Sequence, residues 1–206
     1  MNSRDEILNK IKRIRIEAHP DTAYIQDEIY QPVDNLLSCF IAEIEAIAGK
    51  CYLAENEQDL INALKDVLSE RNIQKVYAED EVIREFLKNA GIEIHDTEVF
   101  PEELICGITN CEFLIARTGS VMISTGLGSG RKAHAFPPVH LVFAHENQLV
   151  KYPQDALVAL EQKYPGSLPS QITTITGPSR TADIEKTLVM GAHGPKELII
   201  FVRRNK

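Results

Sequence analysis

Residues 172–185 read Ile-Thr-Thr-Ile-Thr-Gly-Pro-Ser-Arg-Thr-Ala-Asp-Ile-Glu, and this stretch sets the expectation for the fold. The β-branched run at its beginning predicts a buried strand, and Gly177-Pro178 ends that strand. The hydroxyl groups of Ser179 and Thr181 can then cap a short amphipathic helix that continues to Val189. A strand that leads through a tight turn into a helix is typical of α/β proteins.

The turn after this strand also predicts an anion-binding site. Backbone N–H groups at a helix N-terminus point toward one place, and Arg180 adds a guanidinium beside them. Asp183 lies in the predicted first turn, and His193, between Gly191 and Gly194, is expected to line a cleft. Capped turns of this kind are common, so an ordinary turn with a solvated arginine explains the spacing equally well.

The rest of the chain predicts an open, mostly parallel sheet covered by helices. Strands and helices alternate through residues 50–94 with short connections, which is the pattern of such a sheet. Strands are predicted at 50–54, 75–78, 92–94, 113–116, 121–124, 139–144 and 197–202. Helices are predicted at 34–48, 57–70, 81–90 and 154–162, with a further helical turn or two at 101–109. Residues 1–33 are expected to form an N-terminal helix and extended arm, and residues 34–206 one α/β domain.

Composition narrows the classes of function. The chain has 206 residues, 44% of them hydrophobic, and a formal net charge of -8, which argues against nucleic acid as its main partner. No run approaches the roughly 18 apolar residues of a membrane span, and no secretory signal is recognisable, so we expect a cytoplasmic protein. The four cysteines are dispersed, which favours buried reduced thiols over a metal site.

The glycine-rich loop at residues 126–130 does not fit a nucleotide-binding motif. Lys132 precedes an alanine instead of the Ser or Thr of a P-loop, and the dinucleotide pattern fails at its third glycine. The loop still offers backbone at Gly128 and a guanidinium at Arg131 for a ligand, or it is a mobile surface loop.

Three histidines are candidates for acid–base work. His140 lies in an apolar strand and is expected to be structural, whereas His134 and His193 lie near turns. A triad could be drawn from Ser120 or Ser124 with His193 and Asp183. No nucleophile elbow surrounds either serine, so a hydrolase is disfavoured.

Several motifs together resemble one family. They are Ala116-Arg-Thr-Gly-Ser120, Gly130-Arg131, Pro137-Pro-Val-His140, the 176–185 stretch and Gly191-x-His-Gly-Pro195. The chain is similar over about its whole length to the LUD-domain family, of the lactate-utilisation protein C (LutC) type. This resemblance implies the fold of the NagB, ribose-5-phosphate isomerase (RpiA) and CoA-transferase group. It also implies a role in bacterial oxidation of L-lactate to pyruvate, with a cysteine-rich and an iron–sulfur protein as partners.

The resemblance and the turn chemistry together select candidate ligand-binding residues, whereas catalytic residues and a cofactor stay unassigned. The candidates are Thr118, Gly119, Ser120, Gly128, Arg131, Gly177, Ser179, Arg180, Thr181, Asp183 and His193. Arg117 stands where family members often carry an acidic residue, which disfavours a covalent acyl-enzyme mechanism. Two alternatives stay open: a free-standing enzyme on small phosphorylated or CoA-linked acids, and a structural subunit that docks through its N-terminal arm.

Overall fold

The computed structural model describes residues 3–13, 32–98, 101, 103–181, 189–191 and 194–204. Two compact units are present, Met1–Pro32 and Val33–Lys206. In the first unit, helix α1 spans Ser3–Arg13 and carries Asp5 and Glu6 in its first turn, where acidic side chains favour a helix. The predicted continuation of this helix and arm, residues 14–31, lies outside the described residues.

The second unit is an α/β structure of four described helices and twelve described strands. The helices are α2 (Leu36–Ala46), α3 (Glu57–Glu70), α4 (Glu81–Asn89) and α5 (Pro153–Lys163). The first six strands are β1 (Lys50–Ala54), β2 (Lys75–Val76), β3 (Glu93–Ile94), β4 (Cys106–Asn110), β5 (Phe113–Ile115) and β6 (Ser120–Ser124). The others are β7 (Val139–His145), β8 (Leu149–Val150), β9 (Ile172–Ile175), β10 (Arg180–Thr181), β11 (Val189–Met190) and β12 (Glu197–Arg203).

A parallel sheet forms the centre of this unit. Its order is β1-β12-β7-β4, and each neighbouring pair is parallel. A parallel bridge between Tyr77 and Gly107 joins the β2-β3 pair to the free edge of β4. The predicted mostly parallel α/β fold is therefore confirmed.

A second sheet, of order β8-β5-β6-β9, is mixed. Strands β5 and β6 form the predicted hairpin, with Leu114 opposite Val121, and β9 pairs antiparallel with the other edge of β6. Strand β9 precedes the motif of residues 176–180, so this sheet positions the motif. The strand is half-buried and not fully buried as expected, because it is an edge strand.

The core has layers on both faces of the parallel sheet. Successive side chains of a strand point to opposite faces, so Phe201 packs with α3 and α4 whereas Ile200 packs with α2 and the mixed sheet. Helix α5 covers the outer face of the mixed sheet, where Leu160 packs with Met122. One face of the parallel sheet is thus covered by helices, and the other by a second sheet together with α2. No helix among the described residues has the length and apolar character needed to cross a membrane.

Two local predictions are wrong. Residues 106–110 form strand β4 and not a helical turn, because they pair along their whole length with β7. Residues 180–181 form strand β10 and not the first turn of a helix, and Arg180 lies opposite Met190 in β11. Residues 182–188, where the rest of that helix was expected, lie outside the described residues.

Candidate functional site

A cleft of about 660 Å³ lies beside the motif of residues 176–180. Its volume falls within the range of small-molecule sites. Its lining residues come from the end of α2, the loop before β7, strand β9 with the motif, and the turn before β12. They are Ile47, His134, Ala135, Gln171, Thr173, Thr174, Ile175, Thr176, Gly177, Pro178, Ser179, Arg180, Gly194 and Pro195.

This cleft does not lie at the carboxyl ends of the central parallel strands, where ligands of open α/β sheets usually bind. It follows the carboxyl end of β9, but His134 and Pro195 precede β7 and β12, so it lies at the amino ends of the central parallel strands. The rule that ligands bind at the carboxyl ends of parallel strands therefore does not describe it, because an edge strand of the mixed sheet carries the motif. The carboxyl ends of β4, β7 and β12 border a separate cleft of about 360 Å³.

Arg180 gives the larger cleft its charge. Its side chain is exposed and donates a hydrogen bond from Nη2 to the carbonyl oxygen of Ile47, at the C-terminal end of α2. The helix dipole makes that end partly negative, so the contact orients the guanidinium. Among the described lining residues, Arg180 alone carries a formal charge at neutral pH and none is acidic. This wall of the cleft suits an anion.

The main chain of the motif is held by tertiary hydrogen bonds. Ser179 donates its backbone N–H to the carbonyl of Pro195 at 2.8 Å and accepts from the N–H of Gly191 at 2.9 Å. A Cβ atom at Gly177 would lie 2.9 Å from the carbonyl oxygen of Ile47, so the turn packs closely on α2. The expected helix N-terminus with free N–H donors at Ser179 is therefore wrong, since a β-type contact already uses that N–H group.

The motif of residues 116–120 contacts Thr176, which lines the cleft. The hydroxyl of Ser120 lies 2.7 Å from Thr118 Oγ1 and 2.8 Å from Thr176 Oγ1, and Ser120 is buried. Gly119 lies against the backbone of α2. Thr118, Gly119 and Ser120 are therefore close to the cleft but are not among its lining residues. Their contacts hold the end of β9 in place.

No residue of the glycine-rich loop at 126–130 lines the cleft, and only His134 and Ala135, which follow the loop, do so. Arg131 donates from Nη2 to Ser170 Oγ at 3.0 Å, and neither Arg131 nor Gly128 lines the cleft. Two further predicted site residues, Asp183 and His193, lie outside the described residues, as does the side chain of Thr181.

His134 is a lining residue that the sequence-based list of site residues did not include. Its side chain is 7% exposed, and its Nδ1 atom is buried without a hydrogen-bond partner among the described residues. Burial lowers the pKa of His134 below its ordinary value, so the ring is neutral at pH 7. The sequence indicated it only as an acid–base candidate near a turn. The burial that makes it notable depends on the tertiary structure.

His140 is the structural histidine that the sequence predicts. It is fully buried, and its Nε2 atom lies 2.9 Å from Thr109 Oγ1. Burial lowers its pKa to about 3, and the nearby His134 ring, 6.3 Å away between centroids, adds to this shift. His140 is therefore neutral and packs behind His134.

The cysteines show no grouping. All four thiols are free, and burial raises the pKa of Cys51 to about 12 and also raises the pKa values of Cys106 and Cys111. In the part of the chain that the structure describes, no three His, Cys, Asp or Glu side chains are grouped so that they could hold a metal ion.

Comparison with known proteins agrees with this fold and with the motifs that border the cleft. Residues 102–202 match the LUD domain model, in agreement with the family that the sequence motifs resemble.

Its relatives include proteins named lactate utilization protein C. The one from Geobacillus sp. (strain WCH70) is 28% identical over 189 residues, which are 82% of this chain and 78% of that protein. The one from Halalkalibacterium halodurans is 28% identical over 196 residues, 90% of this chain and 85% of the relative. The one from Geobacillus kaustophilus is 36% identical over 103 residues, 49% of this chain and 43% of the relative.

A solved structure shares the fold. It is the crystal structure of a DUF162 family protein from Deinococcus radiodurans, with a TM-score of 0.63 and 19% sequence identity. The similarity covers 82% of this chain and 96% of that one. The resemblance to the LUD-domain family and the α/β fold expected from the sequence are both confirmed.

Proposed function

We propose that this chain is a LutC-like component of bacterial oxidation of L-lactate to pyruvate, and that it binds a small carboxylate in the cleft beside residues 176–180. Its match to the LUD domain model and its similarity to lactate utilization protein C support the pathway. The charge of the cleft supports the ligand.

The observation that carries the proposal is Arg180 in a wall whose described residues include no acidic side chain. An arginine binds a carboxylate through charge-assisted hydrogen bonds, which contribute about 1.5–3 kcal/mol each. The guanidinium is already oriented by the carbonyl of Ile47, so less side-chain entropy is lost when a ligand binds. Apolar groups of Ile175, Pro178 and Pro195 face the same space and suit a short aliphatic chain.

The proposal includes partners. Oxidation of lactate to pyruvate releases two electrons and two protons. We propose that a cysteine-rich protein and an iron–sulfur protein accept these electrons, and that this chain binds the acid for them. Small phosphorylated or CoA-linked acids are the alternative ligands. One guanidinium among the described lining residues matches a monoanion better than a phosphate dianion.

Binding measurements test the ligand. Titration calorimetry with L-lactate, pyruvate and inorganic phosphate should show the two carboxylates binding more tightly than phosphate. Arg180→Ala should weaken carboxylate binding roughly 10- to 100-fold, the equivalent of one lost charge-assisted hydrogen bond.

Arg131→Ala is the matched control for this experiment. It removes the same charge from a residue that does not line the cleft, so its effect should stay within about twofold. Equal losses of carboxylate affinity in the two variants would show that binding depends on the overall electrostatic field of the protein and not on a contact with Arg180. Unchanged binding in Arg180→Ala would refute the assignment of the cleft. Thermal unfolding of both variants verifies that each is folded.

Anaerobic purification of the tagged protein from its own cells tests the partners. Recovery with iron–sulfur proteins and lactate-dependent electron transfer would support the proposal. Recovery of the chain alone, with turnover of a small acid by the purified protein, would instead support a free-standing enzyme.

A further inference from the structure

We propose that His134 is the residue that makes the cleft selective for 2-hydroxy acids over the same acids without the hydroxyl group. The inference rests on the proposed binding of a carboxylate at Arg180. It adds a second contact, between the ligand hydroxyl and the Nε2 atom of the imidazole ring.

The geometry at His134 leaves one nitrogen for the ligand. The side chain lines the cleft, and its Nδ1 atom is buried, so Nε2 is the ring nitrogen that can face the open space. No hydrogen bond joins either nitrogen to another described residue. Nε2 is therefore available to a ligand in the cleft, whereas the buried Nδ1 is not.

The chemistry of a neutral imidazole matches a hydroxyl group. One ring nitrogen carries a proton and the other a lone pair, and a hydroxyl can both donate and accept, so either tautomer of His134 can bond it. Burial keeps this ring uncharged at pH 7. His134 therefore recognises the neutral end of the ligand, and Arg180 remains the group that recognises its charge.

The surroundings of the ring also limit how it can turn. His134 stands between Ala133, which is fully buried, and Ala135, another lining residue, and its centroid lies 6.3 Å from that of buried His140. Burial of this kind restricts the rotation of the ring. Positioned groups of this kind discriminate well, because an analogue that lacks the hydroxyl leaves the nitrogen unpaired.

A comparison of L-lactate with propionate tests the proposal. Propionate has the same carbon chain and carboxylate but carries hydrogen in place of the hydroxyl. Titration calorimetry of the unaltered protein should show L-lactate binding roughly tenfold more tightly, as one added hydrogen bond predicts.

Two variants of His134 then distinguish the role of Nε2 from that of Nδ1. The amide of glutamine can take the place of Nε2, whereas the amide of asparagine is shorter and can replace only Nδ1. His134→Gln should keep most of the preference for L-lactate. His134→Asn should reduce the lactate-to-propionate ratio to about one while the affinity for propionate stays within twofold. His134→Leu should behave as His134→Asn does if it folds.

The outcomes distinguish this inference from the proposed function. A tenfold preference that survives in His134→Asn would overturn the role of His134 and leave carboxylate binding at Arg180 standing. Equal affinity of the unaltered protein for L-lactate and propionate would also overturn the role of His134 and leave carboxylate binding at Arg180 standing. Failure of the unaltered protein to bind either acid would refute both proposals.

Discussion

Replacement of Gly119 by alanine should destabilise the protein far more than the same change at Gly128. Both glycines have left-handed backbones, with φ of +58° and +71°, so both alanine variants have the same kind of backbone strain. The surroundings differ. A Cβ atom at Gly119 would lie 2.4 Å from the backbone nitrogen of Ile44 and 2.6 Å from the carbonyl carbon of Glu43, whereas one at Gly128 would meet nothing within 4 Å.

The magnitude follows from these two contributions. A left-handed non-glycine residue costs about 1–2 kcal/mol, and the loss of folding free energy in Gly128→Ala should not exceed this. Overpacking costs a further ~1–3 kcal/mol, and the upper part of that range applies at Gly119 because the overlapping atoms belong to the backbone of α2. The expected loss for Gly119→Ala is therefore about 3–5 kcal/mol, a large share of the stability of an ordinary domain.

Urea unfolding followed by circular dichroism measures the two variants under the same conditions. The free energies of unfolding come from the midpoints and slopes of the transitions. Losses that agree within about 0.5 kcal/mol would refute the packing argument, since they would reflect strain alone. A stable Gly119→Ala protein with weakened lactate binding would show that Gly119 serves the ligand instead.

Two further predictions concern buried ionisable groups. Because burial lowers the pKa of His140 to about 3, the unfolded chain takes up a proton below pH 6.5 that the folded chain does not. The stability contributed by neutral His140 is therefore complete above pH 6.5 and decreases by about 1.4 kcal/mol per pH unit between 6.5 and 3. His140→Gln should remove this part of the acid sensitivity in urea unfolding from pH 7 to 5, and a stability difference from the unaltered protein that does not change with pH would contradict it. Lys163→Met should lower the free energy of unfolding by up to about 3 kcal/mol, because among the described residues it leaves the fully buried Glu112 side chain with only the hydroxyls of Ser124 and Tyr164. Glu112→Gln should lower it less, because the lysine that it leaves is half-exposed and water can solvate it. The reverse order in thermal or urea unfolding would contradict this reasoning.

Elements with local signals were predicted well. Helix α3 begins and ends at the predicted residues, because Asn56 caps its first turn by accepting from Asp59 N–H and its apolar residues recur at helical spacing. Strand β1 also has the predicted bounds. In both cases the information lies within a few residues of the element itself.

Elements that depend on distant partners were predicted poorly. Strand β4 exists because it pairs with β7, more than thirty residues further along the chain. Strand β10 exists because it pairs with β11, while Ser179 next to it bonds Pro195. Neither contact leaves a trace in local composition, so the local pattern predicted helix in both places.

Some residues of the candidate site could be predicted from local sequence, and others depend on distant contacts. The motif residues Ser179 and Arg180 could be selected from the sequence, and both line the cleft. Arg131 and Gly128 were selected for their residue types, yet the loop directs them away from it. His134 lines the cleft because the segment before β7 borders it, and this placement is a property of the tertiary structure.

Motifs and hydrophobic periodicity are local properties of the chain, and they were enough to predict the family resemblance, the α/β class and the residue types available for binding an anion. The position of the cleft at the amino ends of the central strands could be known only from the folded chain. The bonding of the Ser179 N–H group and the burial of the His134 ring there likewise depend on the tertiary structure. The reason is physical: burial, hydrogen-bond satisfaction and charge isolation are set by residues that are far apart in the chain and meet only when it folds.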